Sequence, residues 1–309
     1  MLSTIFLIVP DFGIILLGIF LARRMRVADG FWKGVEKLVY FVLFPPLLFH
    51  SVATSRFDFS QAANFLFCGI AMMMVAVVLS YAACYASSAD EPSKASAFQC
   101  NFRFNSYIGF ALALNMCGRE GFALMALFTS FWVPISSSIA VTMLAKARAG
   151  RGVTFLGICK EIGKNPLILS TTAGLLYNVA GFGIAAPVEL VLTRLGSASL
   201  ALGLLAIGAA LRFDAMCHFK LTVVLSVVLR LLIVPIVCLA FCRFFDLDVL
   251  STTVLFIFAA LPTANSCYIL AVNMGGNGPL VAAITTAQTL AAMATMPVWI
   301  VLGQRFFGL

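Results

Sequence analysis

The chain has 309 residues, of which 62% are hydrophobic and only 10% are charged, and its formal net charge is +8. An ordinary soluble domain is about a quarter charged, so this composition excludes a soluble globular protein. Apolar runs of 18 residues or more follow one another along the whole length, each long enough to cross about 30 Å of hydrocarbon as a helix. The chain is therefore predicted to be an all-α membrane protein with many spans.

The apolar pattern predicts ten spans joined by short loops. The first has no basic region before it and ends in Arg23, Arg24 and Arg26, so it is interpreted as a retained span rather than a signal peptide. The longest polar connection, residues 146–165, mixes basic and apolar residues and predicts a short helix on the membrane surface. The ten spans cover about residues 4–22, 34–54, 62–86, 96–117, 121–145, 166–184, 188–211, 220–243, 251–274 and 279–303.

The distribution of basic residues predicts the orientation. Thirteen of the 20 lysines and arginines fall in the odd-numbered loops or at the adjoining span ends, and only five fall in the even-numbered loops and the C-terminus. Basic loops stay in the cytoplasm, so both termini are predicted to lie outside. The positive charge is explained by topology and by contact with anionic lipid, and it does not imply a nucleic-acid partner. The nine cysteines form no Cys-x-x-Cys pair, and neither a metal nor another cofactor is expected.

The fourth span is unusually polar in its first turns. Between Phe98 and Gly118 the chain reads FQCNFRFNSYIGFALALNMCG. A charged side chain near the centre of a bilayer costs about 2.5 to 3.5 kcal/mol, so polar groups in a span need a reason. The polar residues are Asn101, Arg103, Asn105 and Ser106.

A similar passage, LPTANSCYILAVNMGG, begins at Leu261 in the ninth span. Pro262 removes a backbone donor and clashes with the preceding turn, so it predicts a helix break. The carbonyl groups that the break frees must find partners in an aqueous cavity or in the protein. Thr263, Asn265 and Ser266 add polar side chains. Polar, interruptible spans at matching positions of two halves indicate the central binding site of a transporter.

The two halves also share a short sequence repeat. Residues 112–116 read LALNM and residues 270–274 read LAVNM, and an apolar helix with a late proline, Pro134 or Pro297, follows each. Five spans per half is an odd number, so the second half must enter the membrane in the opposite orientation. This predicts an inverted 5+5 repeat, with residues 1–145 as the first half, 146–165 as a cytoplasmic linker and 166–309 as the second half.

The singled-out polar residues also have structural interpretations. Arg103 could bind or gate a substrate, because guanidinium offers a planar donor fork suited to a carboxylate, or it could extend to the interface. The asparagines, serines and threonine could be hydrogen-bonding partners between helices or could form a shared site.

Three further ionisable residues lie in or at the ends of spans. Asp11 is a candidate for proton or cation coupling, or for pairing with Arg103 or Arg230, and its alternative is an interfacial carboxylate. His50 is a candidate titrating gate, or an interfacial histidine bonded to the backbone. Arg230 is expected to be a structural ion-pair partner or a lipid-interface residue.

Four motifs together resemble a known family. They are FRFNSYIGFALALNMCGREG, PPLLFH at the end of span 2, KNP entering span 6, and ALPTANSCYILAVNMGG with a later Met-Pro. They resemble the auxin efflux carrier family, which includes the plant PIN proteins and bacterial permeases labelled as malate or malonate carriers. The plant carriers have Pro-Asn-Thr in span 4; here Asn105-Ser106 match Asn-Thr, and Phe104 replaces the proline. The long cytoplasmic loop of the plant carriers is absent, as in the bacterial members.

The resemblance implies a fold and a mechanism. It implies ten spans in an inverted repeat, with spans 4 and 9 broken and crossing at mid-membrane. It also implies a scaffold part, a mobile transport part with elevator-like alternating access, and a dimer in a bacterial plasma membrane.

The chain is therefore predicted to be a secondary transporter of small organic anions such as dicarboxylates or auxin-like carboxylates. An anion channel and a sodium- or proton-coupled symporter of a related inverted-repeat fold are the alternatives. An intramembrane enzyme is disfavoured because the sequence has two histidines and no HExxH, GxSxG or paired aspartates, and a sensor is disfavoured because no signalling domain is present.

Overall fold

The computed structural model describes residues 2–55, 59–85, 89–149, 163, 165–214 and 220–307, and it contains helices and no strands within these ranges. Two short π-helical segments, Val39–Leu43 and Leu229–Ile233, interrupt the α-helical stretches. The helices are α1 (Leu2–Arg23), α2 (Asp29–Leu38), α3 (Phe44–Thr54), α4 (Phe59–Tyr85), α5 (Glu91–Cys100), α6 (Ser106–Ala149), α7 (Pro166–Val179), α8 (Ala186–Ala210), α9 (Lys220–Val228), α10 (Val234–Phe244), α11 (Val249–Ala260), α12 (Ser266–Asn273) and α13 (Gly278–Phe307).

Six stretches of helix are long and apolar enough to cross a membrane, judged by length and composition over the described residues. This agrees with an all-α membrane protein, whereas the count of ten spans and the inverted repeat stay predictions. Helices α1, α5, α7, α11 and α12 occupy the other predicted positions. The six stretches are Gly30–Thr54, Ser60–Cys84, Ser106–Ala147, Ala186–Ala210, Leu221–Phe244 and Gly278–Gly303.

Helix α6 is two helices that meet at Gly118. The backbone there has φ 63° and ψ −156°, which is not helical. A residue with a side chain is strained at such a positive φ, and glycine is not. Gly118 thus separates predicted spans 4 and 5. The predicted surface helix at 146–165 lies almost wholly outside the described residues.

The backbone divides into two compact units, and neither of them is a half of the sequence. The first consists of Met1–Asp58, Tyr107–Phe131 and Cys159–Ala210, and the second consists of Phe59–Ser106, Trp132–Ile158 and Leu211–Leu309.

Close backbone packing holds the first unit together. Helix α1 runs against α8, and α3 packs on α7 and α8. A side-chain carbon at Gly18 would collide with the Leu205 carbonyl, and one at Gly208 would collide with the Ile15 carbonyl. Small residues allow this approach, which is how helices gain packing energy in a lipid environment.

Helix α11 forms the centre of the second unit. Its residues from Val254 to Ala260 are all buried, so the helix has no lipid-facing side there, as expected of a core helix. It packs against α10 and α13. Twelve residues extend about 18 Å, well short of about 30 Å of hydrocarbon. The ninth predicted span therefore depends on α12 to continue it.

Candidate functional site

Two helix interruptions meet within the second unit. The first interruption, residues 101–105, separates α5 from α6, and the second interruption, residues 261–265, separates α11 from α12. The backbone N–H of Asn105 donates to the Pro262 carbonyl at 2.9 Å. The predicted helix break at Pro262 is confirmed.

The first interruption forms without a proline. The Phe104 ring is buried against Phe258, with ring centroids 4.3 Å apart. The indole N–H of Trp132 donates to the Phe102 carbonyl at 3.1 Å. Contacts with other helices of the unit therefore hold this backbone out of the helical conformation. In the second interruption a proline has this effect, because it removes a backbone donor.

Proline and a buried carboxamide shape the second interruption. Leu261, just before Pro262, is extended, with φ −66° and ψ 142°, as expected for a residue that precedes proline. The Thr263 N–H donates to Gln288 Oε1 at 2.9 Å, and Gln288 Nε2 donates to the Ser226 carbonyl at 3.0 Å. Thr263 and Gln288 are fully buried, so α13 satisfies a backbone donor that the break leaves open.

The interpretation of Arg230 as an ion-pair partner or lipid-interface residue is wrong. Its side chain is fully buried. Its Nε donates to the Leu261 carbonyl at 2.8 Å, and its Nη2 donates to the Phe258 carbonyl at 3.1 Å. Both carbonyls lie at the end of α11, where a helix leaves its last acceptors without partners. The freed carbonyls thus find partners in the protein.

Arg103 joins the end of α5 to the start of α12. Its Nη1 donates to Gln99 Oε1 at 3.2 Å, and its Nη2 donates to Ser266 Oγ at 3.1 Å. Gln99 Nε2 in turn donates to the Cys267 carbonyl at 3.1 Å. Gln99 is fully buried, whereas Arg103 is half-buried and Ser266 is exposed. These bonds fix the plane of the guanidinium group, and its role in substrate binding stays a prediction.

Asn101 has partners different from those of Arg103. Its Nδ2 donates to Ser80 Oγ on α4 at 2.9 Å. It also lines a small cavity of about 20 Å³ that includes Lys94 and Ser226. The carboxamide oxygens of Asn101 and Asn265 are both buried without a hydrogen-bond partner among the described residues.

The geometry brings together only some of the eight predicted site residues. Asn105 and Pro262 meet through their backbones, and Arg103 meets Ser266 through side chains. Thr263 is fully buried, with its Oγ1 at 3.4 Å from Cys267 Sγ. Ser106 is half-buried at the start of α6 and Asn265 precedes α12.

Asp11 and His50 belong to the first unit. Asp11 is buried, and its Oδ2 accepts from Asn115 Nδ2 at 3.0 Å. His50 is buried with its Nε2 at 3.4 Å from Glu189 Oε1, and the Glu189 side chain is 43% exposed. The ring of His50 therefore faces a carboxylate, and the expected bond from an interfacial histidine to the backbone is wrong. Coupling or gating by Asp11 and His50 stays a prediction.

Sequence reasoning missed three groups that support the interruptions. Gln288 is the one carboxamide in residues 279–303, and a polar side chain in an apolar span could have drawn attention to it. Gln99 lies at the start of the polar run of span 4, two residues before Asn101. Nothing in the sequence near Trp132 indicates that its indole binds a carbonyl 30 residues earlier.

The two interruptions contain no carboxylate. Residues 101–105 read NFRFN and residues 261–265 read LPTAN. The charged side chain within the two interruptions is the half-buried guanidinium of Arg103, beside the hydroxyl of Ser266. This set suits an anion, because charge-assisted bonds from arginine to carboxylates are strong and directional. Within the described ranges, no group of three or more His, Cys, Asp or Glu side chains could hold a metal ion.

Comparisons with known proteins identify a family and a relative that this chain resembles. A family model described as "Membrane transport protein" matches residues 4–300. A relative from Rhizobium meliloti (strain 1021), named "Putative malonate transporter", is 24% identical over 298 residues, which cover 94% of this chain and 92% of that protein.

Proposed function

The chain belongs to the family of membrane transport proteins that includes the auxin efflux carriers, and we propose that it is a secondary carrier of small organic anions with one or two carboxylates. The observation that carries the proposal is Arg103, which is half-buried and held by Gln99 and Ser266 where two interrupted helices meet. Malonate is the first substrate to test, because a relative over nearly the whole chain is named for it.

The bonds of Arg103 leave capacity for a substrate. A guanidinium has five N–H donors, and the bonds to Gln99 and Ser266 use two of them. The remaining donors can bind one carboxylate of the substrate in the plane that the two protein bonds fix. Partial burial strengthens such a bond relative to water, and the residual exposure lets a solute reach it.

The proposed carrier has ten spans as an inverted 5+5 repeat, with residues 1–145 and 166–309 as the halves and 146–165 as a cytoplasmic linker. It lies in a bacterial plasma membrane with both termini outside, as the basic loops indicate, and forms a homodimer. It works by elevator-type alternating access, with Arg103, Asn101, Asn105, Ser106, Pro262, Thr263, Asn265 and Ser266 around the substrate and with Asp11 and His50 in coupling or gating. The Asn105–Pro262 bond supports the crossing of spans 4 and 9.

Thermal-shift measurements on the purified protein test the binding step. We expect malonate or a related short dicarboxylate to raise the unfolding midpoint with the logarithm of its concentration, as a ligand of the native state does. Monocarboxylates, tricarboxylates and indole acids in the same screen define the preferred size. An unchanged midpoint with every carboxylate, alongside stabilisation by an uncharged solute, would contradict the proposal.

Counterflow in proteoliposomes tests the transport step and separates a carrier from a channel. Substrate loaded inside should accelerate the uptake of labelled substrate from outside, because a carrier exchanges one molecule for another across the membrane. A channel would give uptake that does not saturate and is not accelerated by internal substrate. Empty liposomes control for leakage.

A further inference from the structure

Arg230 is a buried cation with no acidic partner among the residues that the structure describes. Its two described hydrogen bonds go to the carbonyls of Leu261 and Phe258, and its Nη1 has no hydrogen-bond partner among the described residues. The Phe258 ring lies 5.7 Å from its Cζ. The favourable electrostatics thus come from the carbonyl end of α11 and an aromatic face, both of which attract a cation.

The carbonyl end of an interrupted helix is also where carriers bind mobile cations. Unwound backbone carbonyls and the C-terminal ends of half-helices coordinate Na⁺ or a proton in many transporters. Here the guanidinium of Arg230 binds the Phe258 carbonyl in the last turn of α11 and the Leu261 carbonyl in the interruption itself. A metal cation would need these same oxygens.

The local helix geometry keeps the Arg230 side chain in place. Arg230 lies in the π-helical segment Leu229–Ile233, and such widened turns are frequent at functional sites. Pro235 cannot donate to the Leu231 carbonyl, and the indole N–H of Trp299 donates to that carbonyl instead, at 2.6 Å. The turn that carries the arginine is thus anchored separately from the arginine itself.

We propose that Arg230 is a resident cation that replaces a dissociable coupling ion at the second interruption, so that transport proceeds without Na⁺ or K⁺ at the end of α11. The inference rests on the proposed carrier function and adds how the positive charge at this helix end is supplied. If Arg230 had only a structural role, its hydrogen bonds would matter but its charge would not. Replacing Arg230 would then not make transport depend on an added cation.

The experiment compares the wild type with Arg230→Ala, Arg230→Lys and the control Arg243→Ala, whose side chain is exposed at the end of α10. Malonate counterflow is measured in choline, Na⁺ and K⁺ buffers, each with and without guanidinium at low millimolar concentration. The unfolding midpoint is measured in the same buffers with no anion substrate present.

We expect wild-type counterflow to be equal in choline and Na⁺. Arg230→Ala should lose at least about tenfold in counterflow, the scale for losing bonds from a charged donor, and guanidinium or Na⁺ should restore most of it and raise the midpoint. Arg230→Lys should keep its cation independence with reduced rate, because the ammonium keeps the charge and loses the fork. Arg243→Ala should behave as the wild type in every buffer.

Three outcomes would overturn the inference. They are a wild-type requirement for Na⁺ or K⁺, an Arg230→Ala protein fully active in choline alone, and a folded, inactive Arg230→Ala protein that no cation restores. If Arg230→Ala does not fold, the Na⁺ dependence of the wild type and of Arg230→Lys decides. If no anion is transported at all, the proposed function fails, whereas rescue of the Arg230→Ala midpoint by guanidinium still tests how this helix end binds cations.

Discussion

Replacing Arg103 tests directly whether its positive charge binds the substrate carboxylate. Arg103→Ala removes the guanidinium that the proposal places against the substrate carboxylate. A hydrogen bond to a charged group contributes about 1.5 to 3 kcal/mol, so affinity should fall about ten- to a hundredfold. Arg103→Lys should recover only part, because an ammonium keeps the charge and lacks the planar fork.

The same change has a structural cost that must be separated from binding. Arg103 donates to the fully buried Gln99 and to Ser266. Leaving the Gln99 carboxamide oxygen without this donor costs about 1 to 3 kcal/mol of stability, so the ligand-free midpoint should also fall. Binding must therefore be read from the ligand-dependent increment of each variant against its own baseline.

The stabilisation by ligand differs clearly between the wild-type affinity and a hundredfold weaker one. At a substrate concentration of a hundred times the wild-type Kd, binding stabilises by about 2.7 kcal/mol. For a variant with a hundredfold weaker Kd, the same concentration gives only about 0.4 kcal/mol by the same relation. Asn273→Ala is the control, because Asn273 is exposed at the far end of α12, about 10 Å along the helix from Ser266. Unchanged affinity in a folded Arg103→Ala protein would assign Arg103 to the interface and leave the asparagines and backbone dipoles to hold the anion.

Three other changes test the interruptions and the orientation. Pro262→Ala should suppress transport at normal abundance, because the residue before it becomes free to turn helical and withdraw its carbonyl; full counterflow by this variant would show that the break is not required. Trp132→Phe leaves the carbonyl that its indole binds without a donor and should cost about 1 to 3 kcal/mol, seen as a lower midpoint than that of the exposed control Tyr268→Phe; equal midpoints would mean that this bond contributes nothing. In intact cells, a cysteine introduced near residue 151 should resist an impermeant thiol reagent and one near residue 246 should react, and the reverse labelling would invert the proposed orientation.

The sequence predicts the second interruption because its cause is local. Pro262 acts on the turn that precedes it, and the extended backbone of Leu261 follows from that one residue. The polar residues of span 4 likewise indicate an unusual segment there. In both places the sequence signal comes from residues within a few positions of the break.

The partners of the freed backbone groups could not be predicted in the same way. The Leu261 carbonyl is satisfied by an arginine 31 residues earlier, and the Thr263 N–H is satisfied by a glutamine 25 residues later. Such pairings depend on how whole helices pack, and residue type alone leaves an intramembrane arginine open to several interpretations. His50 is a similar case, because its partner Glu189 is 139 residues away.

Arg103 and Arg230, the two arginines that bind at the interruptions, show how burial separates supporting from candidate substrate-binding roles. Arg230 is fully buried, and both of its described bonds go to the main chain at the end of α11. Arg103 is half-buried, and its described bonds go to the side chains of Gln99 and Ser266. A solute can therefore reach Arg103 but not Arg230. Arg230 meets the demand that irregular backbone within a membrane be satisfied by protein, so the interruption at Pro262 needs no substrate to keep its shape. The substrate's binding energy then need not be spent on forming the break, which is the advantage of a preorganised site.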